Sequence, residues 1–266
     1  MAELPEIYTI AGQMKTELVG KSISGVEVIQ PKCLNLTPEA FATAIDGARV
    51  THVDYHGKWI VVDTSQGWLF LCLGMGGEFL LVNRETLPEK RRAIIDFTDQ
   101  SCLAINFWWF GYVHYAVQLE NHKMTFGLGP NAIDLDPASF QALLNGRRGT
   151  LKTFLLDQDR IAGIGNFYIH DILFQARLHP MRTIQSLRDE EIRSLVDATH
   201  DRLQLSVSKG GFAYEVDLYG HKGGFGMTDL IIAYKENQPC PVCGTTIQKI
   251  KTGSTHSFIC PHCQKI

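Results

Sequence analysis

Apolar residues recur at helical spacing from the start of the chain. Ile7, Ile10, Ala11, Met14 and Leu18 define one face, and Pro5 suits a first turn, so a helix is predicted over residues 2–19. From Ser22 to Phe107 the period changes. The runs ISGVEVI, ARVTHVDY, KWIVVDT, WLFLCL, EFLLVN, RAIIDFT and CLAINFWW alternate or stay apolar and are broken by Gly, Asp, Asn or Pro. They predict a β-rich unit, a sandwich or a barrel. Residues 112–130 read as an irregular linker. Helical spacing returns near Ala138 to Leu144, over Lys152 to Gln158, over Phe167 to Ala176, and from Leu187 to Val207, where Gly210 and Gly211 end it. Residues 212–230 are glycine-rich and polar-aromatic, which predicts a mobile loop able to close over a ligand. The fold class expected is α+β.

The centre of the second half is KTFLLDQDRIAGIGNFYIHDILFQARLHP, Lys152 to Pro180, a helix, a glycine-bearing turn and a helix. Gly163 and Gly165 flank Ile164 just ahead of Asn166. Glycines before a helix leave backbone N–H groups to meet an anion, which the helix dipole favours. The alternative is a helical hairpin whose glycines only permit a sharp turn.

Composition narrows the class. The 266 residues are 45% hydrophobic, enough for about two domains of ordinary size. No apolar run reaches the roughly 18 residues of a membrane-spanning helix. The N-terminus carries acids where a secretory signal has a basic segment. The formal charge is −3, which is unlike most nucleic-acid binders, but it is uneven. Lys and Arg number 15 against 12 Asp and Glu from Arg147 onward, and 10 against 16 before it. A polyanion site would therefore lean on the C-terminal half.

Four of the seven cysteines form Cys240-Pro-Val-Cys243 and Cys260-Pro-His-Cys263. Two turns joined by a β-hairpin, with strands near 245–250 and 255–259, would aim four thiolates at one tetrahedral zinc, structural because no coordination position stays open. Two disulfides or a redox Cys-x-x-Cys are the rivals. The scattered Cys33, Cys72 and Cys102 suit a reducing, cytoplasmic setting. At the other end, Glu3 and Glu6 lie at the positive end of the first helix, where they would stabilise its start. Ala2 is small, so removal of Met1 is expected, leaving an α-amine with an ordinary pKa of about 7.7–8.0, partly neutral and nucleophilic near neutrality. Lys58 follows Gly57 at a turn. Met75 sits on a glycine-rich loop tip, as a wedge or a buried gap-filler. Phe107-Trp108-Trp109-Phe110-Gly111 is a dense aromatic run, part core and part a surface able to stack on bases.

Taken in order, AELPE, Gly57-Lys58, LGMGG, Phe110-Gly111, LGPNA, LLDQDRIAGIGNFY, RLHP and the closing CPHCQK resemble the formamidopyrimidine-DNA glycosylase and endonuclease VIII family of base-excision repair enzymes. The resemblance spans nearly the whole chain. It implies a catalytic β-sandwich domain over residues 1–115, a helical domain with a helix-two-turn-helix over 116–235, and a zinc finger over 236–266. It implies a monomer of the bacterial cytosol and nucleoid that binds damaged or abasic DNA and no membrane. It implies attack by the Ala2 amine on C1′ of a flipped nucleotide, with Glu3 handling protons at the sugar, Glu6 ordering water and the amine, and Lys58 holding a phosphate. Lys152, Gly163, Gly165 and Asn166 would bind phosphates. Met75 and Phe110 would fill the vacated space. The chain also departs from the family pattern. Ala2 stands for Pro, Cys72 for His, Trp108 and Thr255 for Arg, and Tyr8 for a common Glu. Fewer cationic contacts imply a lower salt-dependent affinity. The alternative is a catalytically impaired, zinc-containing protein that recognises damaged or abasic DNA.

Overall fold

The computed structural model describes residues 2–266. The expected removal of Met1 lies outside them. The elements in order are α1 (Leu4–Leu18), β1 (Ile23–Val28), α2 (Pro38–Ile45), β2 (Val50–His56), β3 (Trp59–Thr64), β4 (Gly67–Cys72), β5 (Glu78–Asn83), β6 (Ala93–Phe97), β7 (Ser101–Asn106) and β8 (Tyr112–Ala116). Then come α3 (Lys123–Phe126), α4 (Pro137–Leu144), α5 (Leu151–Leu156), α6 (Ile169–Gln175), α7 (Asp189–Ser208), β9 (Gln248–Thr252) and β10 (Thr255–Ile259). The fold is α+β, as the periodicities require.

Two compact units emerge. The first runs up to Gly127 and takes in Lys209–Gly224; the second holds Leu128–Ser208 and Phe225–Ile266. The first is a sandwich of two antiparallel four-stranded sheets, in the orders β1-β6-β7-β5 and β2-β3-β4-β8. Its core joins the buried face of α1 (Ile7, Ile10, Met14, Leu18) to Val53, Ile60 and Leu71 of one sheet and Phe79, Ile95 and Leu103 of the other. The edge strands β1 and β2 are buried at few positions, whereas β3, β6 and β7 are buried at nearly every position, on both faces, which is why those three read as continuous apolar runs.

Four features differ from the sequence expectation. Residues 112–116 are not linker but β8, which pairs Tyr112 with Cys72 and Ala116 with Trp68. Its Tyr-Val-His-Tyr-Ala sequence alternates weakly because His114 is buried. A helix, α2, interrupts the strand region, capped by Thr37, whose hydroxyl accepts from the Ala40 N–H at 3.2 Å. β7 ends at Asn106, so Trp108 and Trp109 lie outside the strand. Finally, Lys209–Gly224 packs with the sandwich instead of the helices. Leu218 is fully buried in the sandwich core, its N–H donates to Gln13 Oε1 at 2.9 Å, and its carbonyl accepts from the Leu81 N–H. The segment expected to be a mobile loop is anchored along α1 and β5 by these bonds.

Candidate functional site

The start of α1 builds the first cluster. Glu3 and Glu6 form a reciprocal capping box, in which each side chain accepts from the other's backbone N–H. Glu3 N–H donates to Glu6 Oε2 at 2.8 Å. The other Glu6 oxygen accepts the Phe212 N–H at 2.9 Å. Ala2, Glu3 and Glu6 are all buried, at 3%, 4% and 4% exposure. Burying two carboxylates is costly unless they are hydrogen-bonded, and here both are. Gly211, at φ +90°, lies against Glu6: a Cβ there would sit 3.1 Å from Glu6 Cγ. Gly211 therefore serves a close approach to the acid, beyond ending α7, whereas a Cβ at Gly210 would meet nothing within 4 Å.

Lys58 occupies the β2–β3 hairpin turn, where His56 pairs with Trp59 and Gly57 takes φ +58°. That is the first central position, which mirror-image hairpin turns fill with glycine. The end of β2 is held to α1 by a T-shaped contact of Tyr55 with Tyr8, 5.2 Å between ring centroids. Tyr8, one of the departures from the family pattern, thus makes a packing contact. Lys58 is half-buried and its charge acts on the Cys72 thiol, whose pKa is nonetheless raised, chiefly by burial.

Met75 and Phe110 belong to two loops that pair with each other. Met75 N–H donates to Trp109 O at 2.8 Å and Trp108 N–H to Met75 O at 2.9 Å. Gly74 (φ +59°) is required there, since a Cβ would meet Trp109 O at 2.2 Å. Met75 and Phe110 both point to solvent, at 42% and 64% exposure. The gap-filler reading of Met75 is thereby set aside. Of the aromatic run, only Phe107 is core.

In the second unit the glycine turn is stitched by a residue the sequence reading passed over, Gln158. Its Nε2 donates to Leu156 O and Ile164 O, and its Oε1 accepts the Gly163 N–H at 3.0 Å. The LGPNA stretch runs beside the turn, with Ala162 N–H donating to Pro130 O and Ala132 N–H to Ala162 O, each at 2.9 Å. Two expectations are corrected here. The Gly163 N–H is consumed within the loop, so Gly163 supplies shape (φ +103°), not an anion donor. The helix also starts later than predicted, at Ile169 and not Phe167, so Asn166 does not cap it. Gly165 is buried in the turn. Asn166 Oδ1 is buried with no hydrogen-bond partner among the described residues.

The larger correction concerns Lys152. It is 2% exposed, and its ammonium donates into four oxygens of the cysteine hairpin: Thr252 Oγ1 at 3.0 Å, Thr255 Oγ1 at 2.9 Å, His256 O at 2.6 Å and Ser257 Oγ at 2.9 Å. An ammonium has three protons, and all are committed. Burial pulls its pKa down to about 8, so it is still mostly charged at neutrality. Lys152 holds the hairpin and has no capacity left for a phosphate. Exposed basic side chains lie nearby instead: Arg147 and Arg148 line a groove with Thr150, Thr153 and Arg160, the last 3.6 Å from the Asp157 carboxylate.

The hairpin itself is β9 and β10, paired from Gln248–Ile259 to Thr252–Thr255. Its four sulfurs, from Cys240, Cys243, Cys260 and Cys263, lie within 4.8 Å of one another. The resolved S···S distances are 3.9 Å (Cys240–Cys263), 3.5 Å (Cys243–Cys260) and 3.5 Å (Cys243–Cys263). Tetrahedral Zn–S bonds of about 2.3 Å demand S···S separations of about 3.8 Å, so the donor set fits zinc. The Val242 N–H reaches Cys240 Sγ and the Cys263 N–H reaches Cys260 Sγ, each at 3.5 Å, which is how a backbone turn supports thiolates. Burial and the neighbouring sulfurs push Cys263 up to about 12, a cost that a bound dication removes. The cluster is a single structural zinc site. Around it, Gln264 accepts the Cys260 N–H and donates to Leu178 O, and Asp171 accepts the N–H groups of Ile231, Ile232 and Ala233. Neither was anticipated; a buried Asp on a helix and a Gln one residue past the last ligand are the only signals they leave.

The fold and the site define a zinc-binding α+β protein: a β-sandwich entered by an acid-capped helix, and a helical unit that carries a four-cysteine hairpin. Residues 1–106 match the formamidopyrimidine-DNA glycosylase N-terminal domain, residues 126–216 the formamidopyrimidine-DNA glycosylase H2TH domain, and residues 237–266 the zinc finger found in FPG and IleRS. The chain is 32% identical to formamidopyrimidine-DNA glycosylase of Chloroflexus aurantiacus, over 99% of this chain and 98% of that one. It is also 32% identical to the Streptococcus mutans enzyme over 100% of both. Its fold superposes with a TM-score of 0.89 on Lactococcus lactis Fpg in complex with DNA containing N7-benzyl-Fapy-dG, at 25% identity over 99% of this chain and 100% of the other. The chain belongs to the formamidopyrimidine-DNA glycosylase family.

Proposed function

We propose that this protein is a DNA glycosylase of base-excision repair that releases a damaged base and then cleaves the strand at the abasic site. The observation that carries it is the full-length identity to formamidopyrimidine-DNA glycosylases, joined to a buried, mutually capped acid pair beside Ala2. The chemistry begins with the α-amine of Ala2, freed by loss of Met1. Its nitrogen forms a bond to C1′ of the flipped nucleotide while the C1′–base bond breaks, and the base leaves with the proton that the amine gives up. Glu3 supplies a proton at the sugar ring oxygen, which opens the ring and yields the protonated imine. The Glu3 carboxylate then takes a 2′ proton, and the electron pair left on C2′ expels the 3′ phosphate by β-elimination. Glu6 orients the backbone at position 3 and water, in keeping with its two backbone hydrogen bonds. Lys58 holds a phosphate, and Met75 and Phe110 occupy the space the flipped nucleotide leaves. On the helical unit, Asn166 and the Gly165 backbone contact phosphate; Gly163 shapes that turn. A primary amine gives a protonated imine where the secondary amine of proline gives an iminium ion, and both activate C2′ for proton loss, so Ala2 in place of Pro preserves this route.

The protein acts as a monomer in the bacterial cytosol. No described helix is long and apolar enough to cross a membrane. Borohydride trapping tests the proposal. Protein reduced in the presence of duplex DNA with one abasic site is expected to carry a covalent adduct on the Ala2 nitrogen, read by peptide mass spectrometry. An adduct on Lys58 would move the nucleophile. No adduct, from protein that starts at Ala2 and binds the DNA, would establish the impaired, damage-recognising alternative.

A further inference from the structure

Between β7 and β8 three consecutive large aromatic side chains face solvent: Trp108 at 67%, Trp109 at 67% and Phe110 at 64% exposure, with Met75 of the paired loop beside them. Soluble proteins rarely expose several large aromatic side chains on one loop without a partner. The patch is also built to be held out. Phe110 takes φ +57°, a strained value for an aromatic residue. Gly111 leaves room for Phe107 to plug the core, because a Cβ there would lie 2.1 Å from that ring. Gly76 (φ +58°) lies under Trp108: a Cβ there would be nearest the ring-fusion carbon Cδ2, at 2.9 Å, with Cε3 and Cε2 at 3.1 and 3.2 Å. A ring-fusion carbon is bonded to three ring atoms, so the approach is onto the face of the indole. One face of Trp108 is therefore supported by backbone.

From Gln100 to Leu119, and again from Cys72 to Gly77, the chain carries no Asp, Glu, Lys or Arg. These two stretches thus offer π faces and carry no charge of their own; the guanidinium of Arg92, at their base, donates to Phe107 O at 3.2 Å. Within the DNA glycosylase reading, on which this rests, such a surface recognises bases by stacking, and in a closed duplex base faces are already covered. We propose that Trp108 and Trp109 form a stacking platform for unpaired bases, so that this protein takes lesions in single-stranded or locally opened DNA and is indifferent to the base opposite.

The test is fluorescence anisotropy with oligonucleotides bearing one tetrahydrofuran abasic analogue, single-stranded or paired opposite each of the four bases. Wild-type protein is expected to bind the single strand within about threefold of the duplex and to treat the four duplexes alike. Trp108→Ala/Trp109→Ala is expected to lose roughly 10- to 100-fold on the single strand and several-fold less on the duplex, with Trp108→Phe/Trp109→Phe restoring most of the loss. The residues are exposed, so folding should survive, and unchanged thermal melting checks it. Single-strand binding that the alanine variant leaves intact, or wild-type binding more than about fiftyfold weaker on the single strand, overturns the platform while duplex cleavage still upholds the glycosylase. A dimer in sedimentation that the same variant dissociates would give the patch to a second copy and overturn it as well. Failure to bind any DNA overturns both readings.

Discussion

Two buried charged clusters, one at the start of α1 and one at the start of α5, look alike in sequence and behave differently. At α1, Glu3 and Glu6 are partners three residues apart, and their capping geometry follows from that spacing. At α5, Lys152 meets four oxygens that lie 100 to 105 residues further along the chain. The acids keep the position that helix physics assigns them, against Ala2. The lysine, expected as a phosphate contact, is spent on fastening α5 to the zinc hairpin. A charge whose partner is local can be read from spacing; a charge whose partner is distant cannot.

The largest expected effect is at the acids. Glu3→Gln should lower base excision on the order of 10²–10⁴-fold with DNA affinity nearly unchanged, as single-turnover kinetics and binding on the same duplex would reveal. Unchanged excision would reduce Glu3 to a helix cap. Next, Cys240→Ser or removal of zinc by a chelator should unfold the hairpin and weaken DNA binding; full binding by zinc-free protein, verified by metal analysis, would sever the two. Lys152→Met should then cost about 2–4 kcal/mol in thermal or denaturant unfolding, because three hydroxyls and a carbonyl lose a buried partner. It should also speed zinc loss to a chelator. If it instead left stability alone and only weakened DNA binding with a shallower salt dependence, the lysine would be a phosphate contact after all. Glu6→Gln should be milder, about 1–3 kcal/mol, since the amide still accepts one of the two backbone N–H bonds.

The smallest effect concerns a third buried pair. His114 Nδ1 and His122 Nε2 lie 2.9 Å apart, and His122 Nδ1 meets Thr125 Oγ1 at 2.8 Å. Burial holds both pKa values down at about 4, and for His122 the neighbouring His114 adds to it. The unfolded chain protonates near its ordinary value of about 6.5, so stability is fully present above that and is lost as pH falls toward 4. Melting temperatures measured from pH 7 down to pH 4.5 should fall less for His114→Gln/His122→Gln than for wild type.

Much of the fold was legible. The helix over 2–19 appears as Leu4–Leu18, the last long helix as Asp189–Ser208, and seven of the first eight strands follow their apolar runs. β8 does not stand out in the sequence because His114 packs against Trp59 and pairs with Phe70 of β4, both distant along the chain. α2 was missed because eight residues carry too little periodicity to stand out among strands. In the candidate site, the cysteine pairs and the place of Glu3 and Glu6 at the start of the first helix were readable; their reciprocal hydrogen bonds appear only in the structure. Gln158, Asp171 and Gln264 were not, since a polar side chain that satisfies distant backbone groups looks like any surface residue until the chain is folded.

By itself, the sequence determined whatever repeats within a few residues: the period of each element, the acids at Glu3 and Glu6, and two Cys-x-x-Cys turns, whose geometry is local and nearly independent of context. Only the tertiary structure decided which charges are committed and which aromatic residues are covered. Lys152 is buried and Trp108 is exposed because of what other segments bring against them, and burial is a property of the packed chain, set by contacts between residues far apart along it.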